Sequence, residues 1–170
     1  LPCYRPPEGW VERIIAASQF LKERYPQMPH RMIVVNDGTP EGIPPAEVEK
    51  LKTELNNFLY IDQQVNQGKG AALRAGMAAA SAQICLFTDI DFPYTFSSLE
   101  TIINPLLEEK VDVAVGIKDQ SYYQHLPKGR IAISKFLRFL ARTFLRISIT
   151  DTQCGLKGFN QSGKGVFLQT

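Results

Sequence analysis

Two aspartates with one residue between them, Asp89 and Asp91, follow the run Leu86-Phe87-Thr88 and stand just before Phe92-Pro93-Tyr94. In extended backbone, side chains two apart leave the same side, so both carboxylates would share one face. Like charges that close repel unless a cation lies between them or one takes up a proton. Hard carboxylate oxygens suit Mg²⁺ or Mn²⁺, which usually takes one or two carboxylates together with substrate phosphates. A metal that holds a phosphate is therefore one chemistry for this pair. A purely local reading stands beside it: Asp91 opens a turn before Pro93, and Asp89 caps a backbone group.

Two other stretches carry chemistry of the same kind. Ile33-Val34-Val35-Asn36-Asp37-Gly38 ends an apolar run with a carboxylate, Asp37, able to accept hydrogen bonds from a base or ribose. An ordinary Asp-Gly turn would look the same. The segment 66–80, NQGKGAALRAGMAAA, puts Lys69 between glycines at a helix start, where free N–H groups and the helix dipole favour anions. It lacks the G-x-x-x-x-G-K-[ST] spacing of a Walker loop. Close packing by small residues accounts for its alanines but not for Lys69 and Arg74.

The elements that must position these residues alternate. Val11, Ile14, Ile15, Phe20 and Leu21 recur at helical spacing over 8–25, and Pro26 stops that helix. Residues 31–36 read as a strand, 45–56 as a helix, 57–62 as a strand and 68–80 as a helix. Then come a strand over 83–88, a helix over 96–109 and a strand over 111–117. A polar, aromatic loop follows at 120–129, a helix at about 131–147, and a last short strand at 155–159. Strands separated by helices imply parallel crossovers and a sheet covered on both faces. Such sheets bind ligands beyond the carboxyl ends of their strands. Asn36-Asp37, Asp62, Asp89 with Asp91, and Lys118-Asp119 each stand just there.

The 170 residues, 44% hydrophobic and 21% charged, suffice for one domain with a real core. A net charge of +2 is nearly balanced and gives no global field toward nucleic acid. Cys3, Cys85 and Cys154 are an odd number at no metal-like spacing and read as reduced thiols of a cytosolic setting. No apolar run approaches the roughly 20 residues of a membrane span, and no signal peptide is evident.

Taken together and in order, these pieces resemble the family 2 glycosyltransferases with the GT-A fold. Leu1-Pro2-Cys3-Tyr4 is similar to the end of the family's first strand, and Val35-Asn36-Asp37-Gly38 to its nucleotide-binding acidic turn. Residues 66–76 resemble its N-x-G-K/R-x-x-A-x-x-x-G segment, and Asp89-Ile90-Asp91 its D-x-D metal motif. Residues 129–134 (GRIAIS) and 151–159 (DTQCGLKGF) resemble the polyprenyl-phosphate sugar synthases, the dolichyl-phosphate mannose and glucose synthase type. The resemblance implies a Rossmann-like three-layer α/β/α fold with a mainly parallel sheet. It also implies a single catalytic domain over 1–170, cut at both ends, since the chain opens at the tail of a strand.

Carried over by position, Pro2, Tyr4, Glu8 and Asp37 would meet the nucleotide sugar, with Lys69 and Asp89 nearby. Asp91 would be the principal ligand of Mg²⁺ or Mn²⁺, with Asp89 beside it. Arg130, Ser134 and Lys157 would meet the acceptor phosphate, and Asp151 would face the reaction centre with a catalytic role. Two positions depart from the pattern. Arg5-Pro6-Pro7-Glu8 stands where relatives carry Asn-Glu after Cys-Tyr, and Pro93 stands where several carry a Gln, so another group must complete the metal shell.

The implied reaction moves a sugar, with inversion, from a UDP-glucose or GDP-mannose class donor to a polyprenyl phosphate at the cytoplasmic face of a membrane. The predicted helix at 131–147 fits such a surface: Lys135, Arg138, Arg142 and Arg146 form one basic stripe opposite Phe136, Leu140 and Phe144. A solvated face over a buried one would show the same pattern. Rival readings are a GT-A transferase acting on a saccharide or cell-wall hydroxyl, which needs a carboxylate base, and a non-catalytic nucleotide-binding module. A sugar-phosphate nucleotidyltransferase would need a glycine-rich G-x-G-[TS]-R-x-x-P loop, which is absent near the first strand.

Overall fold

A computed structural model describes residues 1–117 and 154–169 of the chain. The first strand, β1 (Pro2–Cys3), leads to helix α1 (Trp10–Arg24), which starts after Gly9 in the left-handed region and ends before Pro26. Trp10, Val11, Ile14 and Ala17 are its buried residues, spaced to lie on one stripe. Then come β2 (Met32–Asp37), α2 (Pro45–Glu54, with a proline in its first turn) and β3 (Phe58–Gln63). They are followed by α3 (Lys69–Ala79), β4 (Cys85–Phe87), α4 (Ser97–Leu107) and β5 (Val113–Val115). Strand β6 (Lys157–Phe159) and helix α5 (Gln161–Gln169) close the described chain.

The strands pair in two groups. In the first, β1, β2 and β3 run parallel, with Pro2 opposite Val35 and Asn36 opposite Asp62. In the second, β6 lies between β4 and β5 and runs antiparallel to both, with Phe87 and Val115 both opposite Lys157. The alternation of strands and helices correctly places the strands, but it does not foresee that the last one turns back between two earlier ones. Helix α5 is additional to the elements expected from the sequence, none of which extends beyond 159.

Side-chain alternation on the strands builds three layers. Met32 and Val34 of β2 join α1 and α2 in one cluster with Trp10, Ile14, Val48 and Leu51. Val35 and Ile33, one position out of step, point the other way to α3, where a Cβ at Gly76 would stand 3.2 Å from Val35 Cγ2. On the second group of strands, Leu99, Ile102, Ile103 and Leu106 of α4 pack on Leu156 and Leu86. Cys85, Phe87 and Phe159 face the opposite layer, against Met77 of α3 and Phe167 of α5. Phe87, Phe159 and Phe167 form a ring cluster with centroids 5.3–6.0 Å apart. Ile14, Val34 and Leu51 are fully buried, each worth about 1.5–3 kcal/mol relative to exposure. Cys3, Cys85 and Cys154 are buried and unbridged. No helix among the described residues is long and apolar enough to cross a membrane.

Candidate active site

The ends of β1, β2 and β4 and the start of α3 enclose a cleft of about 390 Å³. Pro2, Tyr4, Asp37, Lys69, Asp89 and Asp91 all line it. These six sequence-predicted residues are thus brought together from four separate segments. Glu8, the remaining residue expected on the donor side, is exposed in the turn before α1 and is not among the lining residues. Lys157 lies on β6, its ammonium 5.8 Å from the centre of the Phe87 ring. Arg130, Ser134 and Asp151, like Lys118, Asp119 and the helix expected at 131–147, lie outside the described residues.

Each wall of the cleft has a local cause. Asp37 ends β2, is 3% exposed, and its Oδ1 accepts the N–H of Gln67 at 2.8 Å. Beside it, the Asn36 side-chain amide donates to Asp62 Oδ1 across the β2–β3 pair (2.7 Å), and its Oδ1 accepts the Thr39 N–H (3.2 Å). Gly38 has φ +63°, and a Cβ there would stand 2.2 Å from the backbone nitrogen of Asn66. Only glycine lets the β2 turn lie so close to the 65–66 backbone. These bonds pin the loop that delivers Lys69 to the first turn of α3.

The two aspartates reach the cleft differently from the sequence expectation. Strand β4 ends at Phe87, and the Phe92 N–H donates to the Asp89 carbonyl at 3.1 Å. Residues 89–92 are therefore a turn, with Phe92 in the left-handed region at φ +43°. The shared direction of the carboxylates comes from this turn, not from strand alternation, because β4 is too short to carry them. Arg13 of α1 donates to the Asp91 carbonyl and anchors the turn from the opposite side.

The Lys69 ammonium pairs with Asp89 Oδ1. Asp89 and Asp91 are each part-buried. Among the described residues no group of three or more His, Cys, Asp or Glu side chains could hold a metal by itself. Two carboxylates on an open cleft do fit Mg²⁺ or Mn²⁺, hard cations that keep places for substrate phosphate oxygens. With Lys69 and the N–H groups at the start of α3, the arrangement is suited to a ligand with a diphosphate at its centre.

Sequence reasoning missed several contributors. Asn66 and Gly68 line the cleft beside Lys69, and Pro7 lines it beside Tyr4. The N-x-G-K pattern at 66–69 already contained both Asn66 and Gly68. Tyr94, five residues after Asp89, reaches the Gly155 N–H and the Cys154 thiol, and no spacing rule would have paired residues so far apart.

Comparison with known proteins agrees with this architecture. The chain is 29% identical over 178 residues to a dolichyl-phosphate beta-glucosyltransferase of Drosophila melanogaster, covering 95% of this chain and 53% of that protein. It is 27% identical over 180 residues to the protein of the same name from Saccharomyces cerevisiae, covering 95% and 54%. The chain thus spans about half the length of these curated relatives. In three dimensions it resembles the mannosyltransferase PcManGT of Pyrobaculum calidifontis, solved with GDP-Man and Mn²⁺. There the TM-score is 0.60 at 16% identity, over 95% of this chain and 43% of that one, a likeness of GT-A-type fold. The family described as Glycosyl transferase family 2 matches residues 2–163, and the chain belongs to that family.

Proposed function

We propose that the protein transfers a sugar, with inversion, from a nucleoside diphosphate sugar to a polyprenyl phosphate of the dolichyl type. The observation that carries the reading is the convergence of Asp37, Lys69, Asp89 and Asp91 on one cleft at the strand ends. The relatives' names favour a dolichyl phosphate acceptor and a glucosyl donor. UDP-glucose is therefore the first donor to test and GDP-mannose the second.

In this reading Asp37 takes the nucleoside side of the donor, with Pro2 and Tyr4 along its edge. Lys69 and the N–H groups of the first turn of α3 bind the diphosphate. Asp91, with Asp89, would hold Mg²⁺ or Mn²⁺, which would supply positive charge against that growing on the departing diphosphate. An oxygen of the acceptor phosphate attacks the anomeric carbon as the bond from that carbon to the β-phosphate oxygen breaks. The nucleoside diphosphate leaves with the electron pair, and Lys69 is placed to stabilise it. The attacking phosphate monoester has a second pKa of about 6 and is already largely ionised at neutral pH, so no general base is required. Arg130, Ser134 and Lys157 are assigned to the acceptor phosphate, and Asp151 to orienting the acceptor. A lipid acceptor puts the working enzyme at a membrane surface, on the cytoplasmic side where nucleotide sugars are made available.

The test is transfer of label from UDP-[¹⁴C]glucose, and in parallel from GDP-[¹⁴C]mannose, to polyprenyl phosphate. Label should appear in the organic phase, require a divalent cation, and fall on the order of a hundredfold or more in Asp91→Asn. Label moving only to water or to a free saccharide would overturn the proposed acceptor.

A further inference from the structure

The Asp89 carboxylate is gripped on two sides. The Lys69 ammonium meets Oδ1. On the other side, Oδ2 lies against Gly155: a Cβ built there would stand 2.2 Å from Oδ2, 2.9 Å from Cγ and 3.0 Å from the Tyr94 hydroxyl. Gly155 is buried, and its φ is not in the left-handed region. Glycine is therefore required at 155 by the space the carboxylate takes, not by the backbone.

Tyr94 holds Gly155 in that place. Its hydroxyl oxygen accepts the Gly155 N–H at 2.9 Å and lies 3.5 Å from Cys154 Sγ, whose thiol donates to it. Tyr94 belongs to the same loop as both aspartates, so one side chain ties the segment at 154–155 to the metal-binding turn. Burial, then the Cys154 contact, push the Tyr94 phenol well above its ordinary range, so it acts as a neutral hydrogen-bonding group.

We propose that Gly155 and Tyr94 are positioning residues for the donor site: Gly155 leaves the space in which Asp89 faces Lys69 and the cleft, and Tyr94 fixes Gly155 against it. This rests on the proposed role of Asp89 in binding the donor and its metal. The consequence is specific. A methyl group at 155 meets the far end of a short side chain, which can turn away, so Gly155→Ala folds with its carboxylate displaced. A displacement of about 1 Å near reacting groups weakens function on the order of tenfold to a hundredfold.

Two measurements test this. The first is titration of wild type, Gly155→Ala and Tyr94→Phe with UDP-glucose and with GDP-mannose in Mn²⁺. Gly155→Ala should weaken donor binding on the order of tenfold and raise the Mn²⁺ concentration needed for half-saturation, with a smaller change in Tyr94→Phe. The second is a thermal cycle in which Gly155→Ala is made in wild type and in Asp89→Ala. The substitution should lower Tm in wild type and cost distinctly less once the carboxylate is gone, because only the 3.0 Å approach to the Tyr94 hydroxyl then remains. Equal Tm losses in both backgrounds, or donor and Mn²⁺ binding like wild type in Gly155→Ala, would overturn the proposal. Wild type that binds neither donor would instead overturn the functional reading, and the thermal cycle would still decide the packing.

Discussion

The two groups of strands solve the same problem in different ways. β1, β2 and β3 are neighbours in sequence order and run parallel, each followed by a helix that crosses back over the sheet. β4, β6 and β5 are joined through a strand that comes from 70 residues after Phe87 and runs the opposite way. The first group fixes its half of the cleft with side-chain hydrogen bonds: Asn36 to Asp62, and Asp37 to the Gln67 amide. The second fixes its half by close contact at glycine. Gly155 lies against Asp89, and a Cβ at Gly158 would stand 2.5 Å from Ile102 Cγ2 and 2.7 Å from Leu106 Cδ1. One half is tied mainly by polar bonds that a turn sequence can specify, with one close backbone approach at Gly38. The other adds only the Tyr94–Gly155 hydrogen bond and rests mainly on the missing side chains at 155 and 158, which makes it intolerant of added volume.

The sharpest way to break the comparison is Gly158→Val. Its Cβ alone would overlap α4, so destabilisation of about 3 kcal/mol or more is expected, measured as a fall in the urea midpoint. A midpoint unchanged from wild type would mean that β6 is not wedged under α4. Next is Gly38→Ala in the first group. There a positive φ and the Asn66 backbone both oppose a Cβ, and about 1–3 kcal/mol should be lost. Because that turn carries Asp37, donor binding should fall as well; a stable variant with intact binding would contradict the described turn.

The smallest effect is alkaline. Burial pushes the Cys3 thiol from 9.0 to about 12, and burial followed by Asp62 pushes the Tyr60 phenol from 10.0 to about 12. Both folded values are raised, so the unfolded chain loses these protons first. Their contribution to stability is complete below pH 9 and is lost as pH rises from 9 toward 12. Buried Cys85 and part-buried Tyr94 in the second group act in the same direction. The double variant Cys3→Ala, Tyr60→Phe should therefore flatten the fall of the urea midpoint across this range, leaving the residual slope of the second group. A slope identical to wild type would show that the first group is not sealed around these residues.

The same contrast explains what could be read from the sequence. Helices α1 to α4 and strands β2 and β3 follow from local periodicity and from proline and glycine punctuation, and their ends fall within a few residues of expectation. The cleft was legible because a parallel sheet places ligands at strand ends, where Asp37, Asp89 and Asp91 stood, with Lys69 at a helix start. The turn at 89–92 was not, since Asp-x-Asp spacing alone does not distinguish a strand from a turn. Tyr94 and Gly155 were hidden for a different reason: their partnership spans 61 residues and depends on β6 turning back between β4 and β5. Helix α5 was missed because two glycines, Gly163 and Gly165, weaken its helical pattern, while Gly163 is the position where it packs tightly on the Asp112 carbonyl.

The most direct test of the central claim is calorimetric titration of the protein with UDP-glucose and GDP-mannose, in Mn²⁺ and then in EDTA, beside Asp91→Asn. The account predicts saturable binding of one donor in Mn²⁺, lost in EDTA and lost in Asp91→Asn while that variant's Tm stays near wild type. Binding that is equally tight in EDTA, or undiminished in Asp91→Asn, would contradict a metal-centred donor site at the Asp89–Asp91 turn.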